Sequence, residues 1–315
     1  MKRFRFFFRT RFFALFSFLC FSLCFFAGCG KMEFSLPEDL APCDREKAMI
    51  HAEKCVSFGE RPSGSKALFS CGNWIMEALK KIPGTSVSSQ TFTESTPAGP
   101  ITFRNLVCRI PGESSDFVLV GAHYDTKKFA SFSFVGANDG ASGVSALLLL
   151  AETLSRCGQK LPYTLLLVFF DGEECQEEYG PGDGLHGSRY FAANLHKQKG
   201  RCRAMILLDM VGDKDLCLTV PTNTHPVLHA LLERSAAYRK KSSVTGKFPG
   251  EILDDHVPFQ KKGIPAIDLI DFCFGEDNVF WHTPEDTLDK ISGESIALTA
   301  DLVLGMLFNV KKYGL

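Results

Sequence analysis

Surplus charge of either sign is what the sequence most lacks. Over 315 residues Lys plus Arg number 35 and Asp plus Glu 36, for a formal net charge of −1. No long-range field then draws the protein toward nucleic acid, and that class of partner is excluded. No two cysteines form a CxxC pair, which argues against a zinc site built from thiolates. Internal repeats are absent and no low-complexity linker follows residue 41. Neither a repeat array nor a string of loosely joined domains is expected.

What remains is an ordinary globular balance of 45% hydrophobic and 23% charged residues. In a chain of this length it fills one large α/β domain or two small ones. Beyond Cys29 the cysteines are Cys43, Cys55, Cys71, Cys108, Cys157, Cys175, Cys202, Cys217 and Cys273. An odd number leaves at least one free if all pairing is internal. Spacing assigns no partners, and most are read as small buried hydrophobes.

Many of the 29 phenylalanines fall in the first 26 residues, a bias that speaks of targeting. Lys2, Arg3, Arg5, Arg9 and Arg11 make a basic start, and Phe12 to Phe26 an uncharged apolar run. The run ends in Phe26-Ala27-Gly28-Cys29, similar to a bacterial lipoprotein signal in which the cysteine is lipidated and becomes the mature N-terminus. Residues 1–28 are therefore expected to be an export signal, Cys29 the lipidation site, 29–41 a tether and 42–315 the folded domain. An uncleaved membrane anchor or a plainly cleaved signal is the alternative. Each places the folded domain outside the cytoplasm, attached to a membrane in the first two cases.

Downstream, Arg45–Phe58 and Lys66–Ile82 carry helix-period apolar residues, with a loop at 59–64 between them. Ser88–Phe92 and Ile101–Ile110 read as strands of a hairpin closed across Pro97-Ala98-Gly99-Pro100. Strands then alternate with helices. Strands are expected at 117–121, 163–170, 204–210 and 265–270, and helices at 140–156, 187–198, 226–241 and 293–313. Continuous apolar strands such as Leu165 to Phe170 suit a sheet covered on both faces. The expected fold is α/β, a single-domain three-layer sandwich with a mixed, mostly parallel central sheet.

In such sheets ligands bind beyond the carboxyl ends of the strands. There the sequence puts His123-Tyr124-Asp125, Asp171-Gly172-Glu173-Glu174 and Asp209. Asn138-Asp139-Gly140 opens a helix, and Trp281-His282 follows the last strand. Singly each residue has a plain structural use; Asp139 alone reads best as a helix N-cap. Glu173-Glu174 is harder to dismiss, since two acids straight after an apolar strand are costly unless something stabilises them. Together these are the nitrogen and oxygen ligands that Zn²⁺ accepts.

The ordered series His123-x-Asp125, Asn138-Asp139, Glu173-Glu174, Asp209 and His282 resembles the exported zinc aminopeptidases and the related glutaminyl-peptide cyclotransferases, over roughly residues 45–313. Asp254-Asp255-His256-Val257-Pro258-Phe259 and Trp281-His282-Thr283 are closer to the cyclases, whereas Asn138 to Gly143 is closer to the aminopeptidases. The cyclase resemblance implies one zinc held by Asp139, Glu174 and His282, with Glu173 as proton-transferring acid/base. It implies Asp209 and Asp255 as hydrogen-bonding acids around the substrate amide, and Trp281 as a pocket wall. Tyr179 stands where such cyclases carry a second pocket Trp. The aminopeptidase resemblance implies a second zinc on His123 and Asp209, bridged by Asp139. Either way the implied substrate is the free N-terminus of a peptide or protein: the cyclase converts N-terminal glutamine to pyroglutamate, the aminopeptidase removes the first residue. A non-enzymatic peptide-binding descendant is disfavoured, because no metal or acid/base position of the pattern is lost.

Overall fold

The computed structural model describes residues 33–315; the expected signal segment and Cys29 lie outside the described residues. One mixed sheet of eight strands organises them in the order β1-β2-β4-β3-β5-β8-β6-β7. β1 (Ser86–Thr96) and β2 (Gly99–Ile110) form an antiparallel hairpin at one edge. Thr96 pairs with Gly99, so the turn is narrower than expected, and Gly99 and Pro100 already belong to β2. β4 (Tyr163–Phe170), β3 (Ser114–His123), β5 (Cys202–Asp209) and β8 (Ala266–Ile270) run parallel in the centre. β6 (Leu218–Val220) and β7 (Thr245–Lys247) complete the far edge.

All eight residues of β4 are buried because both faces of the sheet are covered. Leu165, Leu167 and Phe169 point into a large core shared with α1 (Arg45–Val56), α2 (Lys66–Lys80), α3 (Ala141–Arg156), α5 (Pro226–Tyr238) and α7 (Gly293–Asn309). The alternate residues Leu166, Val168 and Phe170 meet Phe191 of α4 (His186–Ala193) and Phe259 of α6 (Val257–Gln260) on the opposite face. This period-two division of one apolar run between two cores makes the sandwich three layers deep. The helix expected over 187–198 stops at Ala193 and passes into a 3₁₀ turn at Leu195–Lys197.

Part of the expected tether is packed. Ser35 and Asn309 exchange hydrogen bonds at 3.2 and 2.9 Å, and Phe34 lies against Tyr238 with ring centroids 5.5 Å apart. All nine cysteines of the described residues are free, five of them buried. Among the described residues no helix is long and apolar enough to cross a membrane.

Candidate active site

The four parallel strands end on one rim, and the connections leaving it carry the polar residues. His123 is the last residue of β3 and Asp209 the last of β5. The Asp171–Glu174 turn leaves β4, and the segment from Phe272 to His282 follows β8. Asp139 arrives at the same rim from the turn before α3. That turn depends on Gly140 at φ 107, where an added Cβ would press on the Asp125 carbonyl and the His123 ring.

Two ligand sets meet at Asp139. His282 Nε2 lies 3.3 Å from Asp139 Oδ2 and 3.2 Å from Glu174 Oε1. His123 Nε2 lies 3.1 Å from Asp139 Oδ1 and 3.2 Å from Asp209 Oδ1. In each trio, Asp139–Glu174–His282 and His123–Asp139–Asp209, the ligand atoms all fall within 4.8 Å of one another. Asp139 does not cap α3, whose N-cap position is Gly140 with no side-chain hydrogen bond. Its Oδ2 is buried without a hydrogen-bond donor.

This constellation fits a divalent cation. Buried at the rim are the carboxylates of Asp125, Asp139, Glu173, Glu174, Asp209 and Asp254, against the two histidines. Anions packed this tightly demand compensation. The histidines report the demand. Burial alone would lower the His282 pKa, but Asp139 and Glu174 outweigh it and push it up to about 10. His123 is likewise raised by Asp125, Asp139 and Asp209 against its own desolvation. Imidazole nitrogens and carboxylate oxygens are the donor set that zinc accepts.

Supporting residues fix the ligands. Asp125 accepts from the backbone N–H of Glu173 at 3.3 Å and of Glu174 at 3.2 Å, which locks the turn after β4. Asp171 faces away, accepting from the Ser63 hydroxyl and the Arg104 N–H, each at 2.7 Å. Asp286 grips the Asp139 turn from below, accepting from the N–H groups of Asn138 at 2.7 Å and Asp139 at 3.0 Å. His282 has φ 56, a left-handed backbone that is rare for a side chain other than glycine. The Trp281 ring stacks on the His282 imidazole at 4.1 Å, and Phe272 meets Trp281 at 5.2 Å.

A pocket of about 240 Å³ opens over the Asp139–Glu174–His282 trio and is walled by Trp281, Phe272, Tyr179, Asp209 and Asp254. Glu173 also lines it, and the Tyr179 hydroxyl donates to Glu173 at 3.1 Å. Burial, then Glu174, then Asp254 hold the Glu173 pKa well above the usual carboxylate range.

The structure thus gathers Asp139, Glu173, Glu174, Asp209, His282, Trp281 and Tyr179 around one pocket, with His123 behind Asp139 and Asp209. Asp255 is placed differently from its neighbour Asp254. It is fully buried beside α6 and absent from the pocket wall, where its neighbour Asp254 stands instead. Besides burial, Asp255 is influenced by the charges of His123, Asp125 and Asp209, and Asp254 by those of Asp268 and Asp209; spacing alone does not say which of the two lines the pocket. Sequence reasoning also missed Asp254 and Asp286; the latter had one faint signal, an acid four residues after His282.

Comparison with known proteins agrees with this geometry. The profile of peptidase family M28 matches residues 105–307. A glutaminyl-peptide cyclotransferase-like protein of Bos taurus is 34% identical over 260 residues, covering 72% of this chain and 66% of its own length. The chain thus spans slightly less than two thirds of that relative. A glutaminyl cyclase crystal structure from an Acidobacteriales bacterium superposes with a TM-score of 0.82 at 31% identity, covering 90% of this chain and 98% of the other. A leucine aminopeptidase precursor from Bacteroides thetaiotaomicron superposes with a TM-score of 0.77 at 26% identity, covering 86% and 98%. With the family profile spanning well over half of its residues, the chain belongs to peptidase family M28.

Proposed function

We propose that the protein is a zinc-dependent glutaminyl-peptide cyclotransferase, which converts the N-terminal glutamine of peptides and proteins into pyroglutamate and releases ammonia. One observation carries this reading: Glu173, held by the Tyr179 hydroxyl, shares a small aromatic-walled pocket with the Asp139, Glu174 and His282 cluster. The names of the bovine relative and the Acidobacteriales structure support it. At about 240 Å³ the pocket is smaller than the ~300–1,000 Å³ of sites for drug-sized ligands, a size for one side chain. The flat faces of Trp281 and Phe272 suit a planar amide.

Asp139, Glu174 and His282 would hold one zinc, which supplies a Lewis acid that polarises the amide oxygen and stabilises the charge it gains. The chain's own residues do the rest. Asp209 and Asp254 accept hydrogen bonds from the side-chain NH₂ and aim the amide carbon at the substrate's α-amine. Glu173 takes the proton that the amine loses as the new N–C bond forms. It returns that proton to the amide nitrogen as the old C–N bond breaks, leaving a pyroglutamyl ring and ammonia. Burial, Glu174 and Asp254 raise the Glu173 pKa, the direction that helps a carboxyl group hold and return a proton.

A second reading is a zinc aminopeptidase, favoured by the second cluster of His123, Asp139 and Asp209. That reading takes two zinc ions per chain and hydrolyses the first peptide bond. Incubation with Gln-peptides and with amino-acid anilides separates the two. Pyroglutamate and ammonia from Gln-peptides alone support the cyclase; free amino acids from many first residues overturn it.

The basic start, the apolar run and Cys29 support an exported, membrane-attached protein with its catalytic domain outside the cytoplasm. Cys29→Ser should abolish incorporation of labelled lipid, and labelling that persists in the variant overturns the lipoprotein reading.

A further inference from the structure

A second cleft of about 560 Å³ adjoins the catalytic pocket. Tyr179 and Leu253 line both, so the two spaces meet across these side chains. The cleft runs between α4 and α6, with Pro181, Leu185, Val257 and Pro258 as apolar wall. Leu253 is 50% exposed, a large apolar side chain standing in solvent at the junction.

The rim of this cleft is cationic. Arg189, Lys261 and Lys262 line it against a single carboxylate, Asp183. That carboxylate is already engaged, accepting from the N–H groups of Gln176, Glu177 and Glu178 at 2.7 to 3.1 Å. Arg189 is partly spoken for, donating to the carbonyls of Gly180 and Pro181 and lying 3.9 Å from Glu94. Lys261 and Lys262 are exposed, with no ion-pair partner among the described residues. In a chain of net charge −1, whose catalytic pocket is lined by acids, this local excess of positive charge stands apart.

A further opening beside Glu174 has the contrary character. Lys128 is its one lysine, against Asp125, Glu174 and Glu177. A peptide whose first residue fills the catalytic pocket must leave by one side or the other. An extended chain advances ~3.3 Å per residue, so its second to fourth residues come within reach of a neighbouring cleft.

The geometry points to the α4–α6 cleft as the binding site for the peptide beyond its first residue, with Lys261 and Lys262 selecting an acidic side chain at the second to fourth position. This inference rests on the cyclase reading for the identity of the first residue. The apolar wall accepts the stem of the chain, and Leu253 covers it as it passes from one cleft to the other. The lysines add an attraction that is screened by salt.

The test uses the full-length, zinc-loaded protein and hexapeptides beginning with Gln. Each carries a single Glu, Ala or Lys at the second, third or fourth position in an otherwise neutral sequence. The ratio of kcat/KM for the Glu peptide to that for the Lys peptide is taken within each protein sample, so partial misfolding cancels. At one position the ratio should be about fivefold to tenfold at low salt and approach one in 0.5 M NaCl, as expected for exposed charge pairs. In the double variant Lys261→Glu/Lys262→Glu it should invert. A ratio near one at all three positions, with the Gln peptides still turned over, overturns the inference alone. So does a ratio that the double variant leaves unchanged. If no Gln peptide is turned over, the cyclase reading falls. Anisotropy with fluorescent Glu and Lys peptides bound to Glu173→Gln protein then decides the cleft on its own: equal dissociation constants overturn it, and tighter binding of the Glu peptide sustains it.

Discussion

The Tyr179 hydroxyl donates to the Glu173 carboxylate, its oxygen 3.1 Å from Oε1 and 3.3 Å from Oε2. The tyrosine replaces the tryptophan that the family resemblance leads one to expect, and with its ring it brings a donor that tryptophan would aim differently. A donor to a carboxylate favours the ionised form and lowers its pKa. Here it works against burial and against Glu174 and Asp254, which together hold Glu173 high. Tyr179→Phe keeps the ring and removes the donor. The Glu173 pKa should therefore rise further, and the base should be lost to protonation at a higher pH than in the wild type. The expected result is an acidic limb of the kcat/KM profile displaced upward in pH, with zinc content unchanged. A limb that stays in place or moves down refutes this role for the hydroxyl.

Glu173 and Glu174 are neighbours with divided work. Glu173→Gln should lower turnover by roughly 10²-fold or more while zinc stays bound, because the proton carrier is gone but the ligands remain. Glu174→Gln should lose metal first. Elemental analysis beside a turnover assay reads both, and a Glu173 variant that loses zinc while the Glu174 variant keeps it reverses the two roles.

Asp286 touches no ligand side chain, yet it holds the backbone that carries Asp139. Replacing it with Asn leaves one carbonyl oxygen to serve two N–H groups. Residues that orient metal ligands typically contribute 10–100-fold in affinity. Asp286→Asn should weaken zinc binding by about tenfold in competition with a chromophoric chelator. Affinity equal to wild type would reduce Asp286 to an ordinary turn acceptor.

Much of this was legible along the chain because the parallel strands announce their own ends. Leu165 to Phe170 is an unbroken apolar run that stops at Asp171, and once β4 is buried on both faces the next residues must emerge at the rim. The same logic delivers His123 and Asp209. It fails where elements are too short for any period to register. β6 and β7 have three residues each and α6 four, so the far edge of the sheet and the floor of the second cleft gave no pattern. The sequence places His282 after the last strand, but not its left-handed backbone or its packing against Trp281, Phe129 and Phe134.

Asp254 and Asp255 offer the sharpest test of what the structure adds. Asp254 lines the catalytic pocket, whereas Asp255 is fully buried and absent from its wall. Asp254→Asn should therefore lower kcat/KM for Gln-peptides at unchanged zinc content and little cost in stability. Asp255→Asn should act on stability instead, in a direction set by its pKa. Burial is the main cause that pushes Asp255 up to about 7, against an ordinary value of 3.8. Between these values the unfolded chain has released the proton and the folded chain retains it, so stability contributed by this site falls as pH rises through that window. The full benefit is present below about pH 4, the unfolded value, and is gone above about pH 7, where ionised Asp255 is a buried anion. An asparagine carries no such charge. The melting temperature of Asp255→Asn relative to wild type should improve steadily from pH 4 to pH 8, by several degrees in all. A difference that is flat across that range would refute this account of Asp255 as a buried anion.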